Sequence, residues 1–219
     1  MSLPAGELRP TLRRVTERLA LALCDPHSSE PDWSDTEWRL ARAMAIVHGI
    51  APLLASRLSW NGGAGWRAFL ELQRLHTAAR QQRIEALFAR IAVQAADEGV
   101  EFITLKGQAL HRLGIYLPGE RPMADLDLLV RPSNLYPMSA LIRTVGYEIE
   151  RADPDEHVLV PVQRPARLVF GEHADSGITV EIHTAIRQPM PIKYVDITAR
   201  LWPVMPGAEI GRASCRERV

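Results

Sequence analysis

The chain has 219 residues, 47% hydrophobic and 24% charged, which describes a soluble globular protein of one large or two small domains and excludes a disordered chain. No apolar run approaches the ~18 residues that span a bilayer, and Glu7 and Arg9 precede any apolar stretch, unlike a secretion signal, so no membrane association and a cytoplasmic location are expected. Basic and acidic residues balance at 26 each, which argues against a nucleic-acid partner, and Cys24 and Cys215 form neither a metal spacing nor a disulfide framework.

Leu8, Leu12, Val15, Leu19 and Leu23 recur at helical spacing and predict a helix over residues 7 to 23, stopped by Asp25-Pro26. Ser34 followed three positions later by Glu37 is a capping box, so a second helix is expected to run to about His48-Gly49. A short helix over Ala51 to Leu58 comes next, then the turn Asn61-Gly62-Gly63. Trp66 to Asp97 holds no Pro or Gly and places Phe69, Leu72, His76, Ala79, Leu87, Ile91 and Ala95 along one face. About thirty residues at ~1.5 Å each make a helix of roughly 45 Å. Trp33, Trp38, Trp60 and Trp66 read as packing anchors, and His48 and His76 as packed or hydrogen-bonded rather than metal-bound, since no partner lies at ligand spacing.

From Val100 the pattern changes to strands. Val100 to Leu105 is the first, Lys106-Gly107 the turn after it, and Gln108 to Leu113 the start of a helix whose N–H groups face a phosphate if one binds. Asp125 to Val130 is a short buried strand, followed by Arg131-Pro132-Ser133 and a helix that Gly146 ends, with Pro137 tolerable in its first turn. Further strands are expected over residues 147 to 151, 157 to 162 and 167 to 170. Gly171 to Gly177, with His173 and Asp175, reads as a solvated turn into the last strand, Ile178 to His183.

The chemistry concentrates in two of these strands. Residues i and i+2 of a strand face the same way, so Asp125 and Asp127 share a face inside an otherwise apolar run. Two carboxylates side by side repel unless a cation lies between them, and a hard dication such as Mg²⁺ suits carboxylate oxygens. In the last strand Val180 and Ile182 face the core while Thr179, Glu181 and His183 face away together, which makes Glu181 the third candidate carboxylate and His183 a group that orients an acceptor or a metal-bound water. Lys106 and Arg121 are candidate phosphate contacts; the plainer readings are a solvated lysine and a loop ion pair.

Leu105-Lys106-Gly107, Tyr116, Pro118-Gly119, the run Arg121 to Val130 and the strand Val180-Glu181-Ile182-His183 together resemble an incompletely characterised family of bacterial nucleotidyltransferase-fold proteins in the DNA polymerase beta superfamily. The resemblance covers roughly residues 40 to 185. It implies an α+β fold, with a helical N-terminal region over residues 1–98 and a nucleotidyltransferase-like mixed sheet flanked by helices over 99–209. It also implies transfer of a nucleoside monophosphate from an NTP to an acceptor hydroxyl, with two Mg²⁺ ions held by Asp125, Asp127 and Glu181 and the nucleotide by Lys106, Gly107, Gln108 and Arg121. The acceptor is left open among a small molecule, a sugar, a peptide and a protein. One departure bears on nucleotide binding: the superfamily has Gly-Ser or Gly-Gly in its first turn, and this chain has Gly107-Gln108. A catalytically silent nucleotide-binding module and a protein-interaction module on the same fold are the alternatives.

Residues 210 to 219 differ in composition from what precedes them, have no hydrophobic period and look like translated sequencing adapter, so a truncated catalytic core with a non-native tail is expected. Setting the tail aside leaves 23 basic and 25 acidic residues (26 − 3 and 26 − 1), which keeps the charge near balance.

Overall fold

The computed structural model describes residues 5–25, 27–163, 170–189 and 194–202, and its architecture is α+β. The tail from 210 onward lies outside the described residues, as does the strand expected over 167 to 170 apart from Phe170, which sits in a bend. The chain forms two compact units: one of residues 1–81, 117–122 and 167–176, the other of 82–116, 123–166 and 177–219.

The first unit is helical. α1 (Ala5–Cys24), α2 (Asp35–Val47) and α3 (Ala51–Arg57) come in the expected order, followed by the first half of α4 (Trp66–Asp97). The capping box of α2 is present: the backbone N–H of Glu37 donates to Ser34 Oγ, and the backbone N–H of Ser34 donates to Glu37 Oε2 at 3.0 Å. Val15, Leu19, Ala41, Ala45, Leu54, Trp60, Trp66 and Leu70 form the core, and Trp38 packs against both buried tryptophans with ring centroids 6.1 and 5.3 Å away. Gly62 and Gly63 admit these rings. A Cβ on Gly62, which has φ +75°, would lie 2.3 Å from Trp66 Cδ1, and one on Gly63 2.5 Å from Trp38 Nε1.

In the first half of α4 the buried face differs from the expected one, whereas Leu87, Ile91 and Ala95 in the second half are buried as expected. Leu72 is 51% exposed, and the inward positions are Trp66, Leu70, Gln73 and Thr77, then Arg80 and Gln81. Gln73, Arg80 and Gln81 bind loop backbone and side chains. Gln73 Oε1 accepts from the N–H of Glu172 at 2.8 Å, Gln81 Oε1 from that of Gly119 at 3.0 Å, and Arg80 pairs with Glu172 at 3.3 Å. Hydrophobic periodicity selects apolar positions and therefore skips a stripe buried through hydrogen bonds. His76 behaves as expected: its Nδ1 accepts from the N–H of Ala174 at 3.1 Å.

The second unit holds the rest of α4 and a five-stranded mixed sheet in the order β1-β2-β5-β4-β3. Its strands are β1 (Phe102–Thr104), β2 (Asp125–Val130), β3 (Tyr147–Ala152), β4 (Glu156–Pro161) and β5 (Thr179–His183). Only β2 and β5 run parallel; the other neighbours are antiparallel. α5 (Lys106–Arg112) follows β1, and α6 (Leu135–Thr144) follows β2 with Pro137 in its first turn. A separate two-stranded sheet of β6 (Arg187–Pro189) and β7 (Tyr194–Asp196) precedes the short α7 (Thr198–Leu201).

Leu126, Leu128 and Val130 of β2, with Val180 and Ile182 of β5 and Leu159 of β4, pack in one core with Ile84, Phe88 and Ile91 of α4 and Met138, Leu141 and Ile142 of α6. Each such side chain, fully buried, contributes roughly 1.5–3 kcal/mol. That force sets which face of β2 and β5 turns inward. By the pleat, Asp125, Asp127, Glu181 and His183 then go to the opposite face.

Candidate active site

Asp127 lies in the middle of β2 with 1% of its surface accessible. A carboxylate that deep in a sheet requires counter-charge or hydrogen bonds. It has both: Lys106 Nζ is 2.5 Å from its Oδ1, and His183 Nε2 is 3.2 Å from the same oxygen.

Lys106 is brought there by the end of β1. The N–H of Leu105 donates to the carbonyl of Asp127 at 3.0 Å, which ties the chain to β2 one residue before the lysine. Lys106 then takes φ +46°, the only positive φ of a non-glycine among the described residues. Such a conformation costs on the order of 1 kcal/mol for a residue with a Cβ and persists only where surrounding contacts over-determine it.

Glu181 reaches the site through register. β2 and β5 pair in parallel with Asp127 opposite Glu181, so the two side chains are same-face neighbours. Glu181 Oε2 lies 3.7 Å from Lys106 Nζ and 3.5 Å from His183 Nε2. β5 alternates half-buried and buried from Thr179 to His183, as its sequence predicts.

His183 is held from its other side. β4 and β5 pair antiparallel with Glu156 opposite His183, and Glu156 Oε1 is 3.2 Å from His183 Nδ1. Sequence reasoning missed Glu156. The residue lies outside the expected strand, which began at His157, and only the β4–β5 register puts it beside the site.

Asp125 is half-buried, pairs with Thr179 across β2 and β5, and its charge acts on both Lys106 and Glu181. Gly107 and Gln108 are buried in the first turn of α5, and Gln108 Oε1 has no hydrogen-bond partner among the described residues. Arg121 falls on the segment 117–122 of the first unit and is half-buried there.

The charges separate the two central carboxylates. Burial pushes Asp127 upward, but the hydrogen bonds from His183 and Lys106 outweigh it and hold the group below the usual aspartate range. Burial raises Glu181, and the neighbouring Asp127 adds to the rise against the opposing pull of Lys106. For Lys106 burial works against the charged form, yet Asp127, with Glu181 and Asp125, raises its pKa. The site thus sets one carboxyl held below its usual range beside one raised above it and an ammonium whose pKa is raised.

One ligand atom from each of Asp127, Glu181 and His183 lies within 4.8 Å of the others. Ligands of one dication at ~2.1–2.3 Å stand ~3–4.5 Å apart, so this donor set fits a single ion after small side-chain movements. Asp125 is not one of the three.

A family model described as "Uncharacterised nucleotidyltransferase" matches residues 34–214. A solved structure of a proposed nucleotidyltransferase from Thermotoga maritima is similar at 14% identity and a TM-score of 0.33, covering 53% of this chain and 65% of that one. No curated protein matches. No helix of the described residues is long and apolar enough to cross a membrane.

Proposed function

Because this chain belongs to the uncharacterised nucleotidyltransferase family, we propose that it moves a nucleoside monophosphate from an NTP to an acceptor hydroxyl. A bond forms between the acceptor oxygen and the α-phosphorus, the bridging α–β bond breaks, and its electron pair leaves with pyrophosphate. The observation that carries this reading is the convergence of Lys106, Asp127 and Glu181, with Lys106 Nζ 2.5 Å from Asp127 and 3.7 Å from Glu181.

Asp127 and Glu181 would hold one divalent cation, with Asp125 beside them for a second; Mg²⁺ is what carboxylate oxygens alone would select. When bound, the cations supply positive charge to the attacking and leaving oxygens of an in-line displacement. Glu181, whose pKa is raised, is the carboxylate suited to take the acceptor's proton. Lys106 carries its charge at the mouth of the site with 57% of its side chain exposed, so it can turn from Asp127 to the phosphates. Gly107 and Gln108 are the further proposed nucleotide contacts.

The test is incubation of the full chain with each α-labelled NTP, Mg²⁺ or Mn²⁺, and a cell extract. Label should pass to an acceptor with release of pyrophosphate, and Asp127→Asn should abolish the transfer. Nucleotide binding without turnover in any extract would instead support a silent nucleotide-binding module, the reading that Gln108 in place of a small residue favours.

A further inference from the structure

We infer that His183 is a metal ligand through Nε2, held in place by Glu156, and that the site therefore prefers a first-row transition-metal dication to Mg²⁺. The inference rests on the cation-dependent transfer proposed above and specifies which cation that site takes.

The two ring nitrogens of His183 face different partners. Nε2 points at the carboxylates, 3.2 Å from Asp127 Oδ1 and 3.5 Å from Glu181 Oε2. Nδ1 is 3.2 Å from Glu156 Oε1. In the metal-free site Nε2 is the nitrogen hydrogen-bonded to Asp127 Oδ1; when a cation enters, a neutral imidazole with its proton on Nδ1, the nitrogen facing Glu156, would present its Nε2 lone pair to the space shared by Asp127 and Glu181. A carboxylate on the outer nitrogen is the arrangement that orients a metal-binding histidine and raises its basicity.

The strands fix this geometry. β2 and β5 set Asp127 beside Glu181, and β4 and β5 set Glu156 opposite His183, so the carboxylates, the imidazole and its orienting carboxylate come from three adjacent strands. His183 has only 13% of its side chain exposed, so little freedom remains for its ring to turn away. The Lys106 ammonium neutralises the same oxygens and, on a side chain 57% exposed, can leave when an ion enters.

Imidazole nitrogen distinguishes cations where carboxylate oxygen scarcely does. Mg²⁺ takes oxygen ligands and keeps its waters, whereas Mn²⁺, Fe²⁺, Co²⁺ and Zn²⁺ accept a nitrogen donor in rising order of affinity up the series. Two carboxylates and one imidazole therefore make a mixed site with a transition-metal preference. Mn²⁺ is the probe of choice, since it tolerates the oxygen ligands and is paramagnetic.

The experiment is calorimetric titration of metal-free full-length protein with MgCl₂ and MnCl₂, together with pulsed electron paramagnetic resonance of the Mn²⁺ complex. Mn²⁺ should bind about tenfold or more tightly than Mg²⁺, and the resonance should show coupling to a ¹⁴N nucleus. His183→Ala should remove that coupling and most of the preference. Glu156→Gln should keep the coupling while weakening Mn²⁺ by about tenfold. Should His183→Ala fail to fold, the wild-type spectrum decides alone: bound Mn²⁺ without nitrogen coupling overturns the inference. Equal affinity for both ions without nitrogen coupling would overturn the imidazole ligand and leave the carboxylate site standing. Failure of both ions to bind would overturn the imidazole ligand and the carboxylate site together.

Discussion

The ammonium of Lys106 stands 2.5 Å from Oδ1 of Asp127 on a backbone held at φ +46°. A lysine would relax from that conformation unless something rewarded it, and the reward is the buried carboxylate that it neutralises. The same cation covers the oxygens that a divalent ion would need, so in the metal-free protein Lys106 is the internal counter-ion of the site.

Removing the ammonium should therefore destabilise the metal-free protein and leave the cation-loaded protein little changed. Lys106→Ala should cost about 1 kcal/mol without divalent ion, less than a fully buried pair because the Lys106 side chain is 57% exposed. Lys106→Gly should be less damaging than Lys106→Ala by about 1 kcal/mol, since glycine accepts the positive φ. Denaturant midpoints of both variants with and without Mn²⁺ read this. Equal stability of the two would mean that the backbone at 106 is unstrained.

The two aspartates of β2 should respond differently to amidation. Asp125 contributes like charge beside Glu181, so Asp125→Asn should leave metal-free stability level or raise it by something on the order of 1 kcal/mol while weakening cation-dependent stabilisation. Asp127 accepts from Lys106 and His183 while buried, so Asp127→Asn should cost about 1–3 kcal/mol with or without ion. Thermal melts in both conditions separate the cases, and an Asp125→Asn variant destabilised equally in both would count against its place at a cation.

The pH dependence of metal-free stability follows from opposite shifts. Asp127 is held below its unfolded value of ~3.9, so its contribution is complete above that value and is lost as pH falls through the folded pKa. Glu181 is held above its unfolded value of ~4.3, so its contribution is complete below that value and is lost as pH rises through the folded pKa. Glu181→Gln removes the second loss. It should match wild type near pH 4, exceed it near neutrality without divalent ion, and fall behind when Mn²⁺ saturates the wild type. Urea midpoints across the pH range check the crossing.

In the helical unit, Gly62→Ala should be severe. The new Cβ meets Trp66 at 2.3 Å and Trp38 at 2.9 Å on a backbone with φ +75°, so strain and overpacking add to about 2 kcal/mol or more. Near-ultraviolet circular dichroism should report loosening of the tryptophans, and an unchanged spectrum and midpoint would contradict the packing described.

What this chain's sequence determined by itself was local. Ser34 and Glu37 cap α2 whatever lies around them, because the capping box closes within one helical turn. The alternation from Thr179 to His183 sends Glu181 and His183 to one face through the pleat alone, and the carboxylates at 125 and 127 share a face for the same reason. Tertiary structure decided which faces meet. Only the parallel register of β2 and β5 puts Glu181 beside Asp127, and only the antiparallel register of β4 and β5 puts Glu156 behind His183, pairings between strands tens of residues apart that no local pattern encodes. The buried polar stripe of α4 belongs to the same category. Gln73, Arg80 and Gln81 are inward because loop amides at Glu172 and Gly119 and the Glu172 carboxylate satisfy them, so their burial depends on chain that returns from elsewhere, whereas hydrophobic periodicity responds to transfer from water alone.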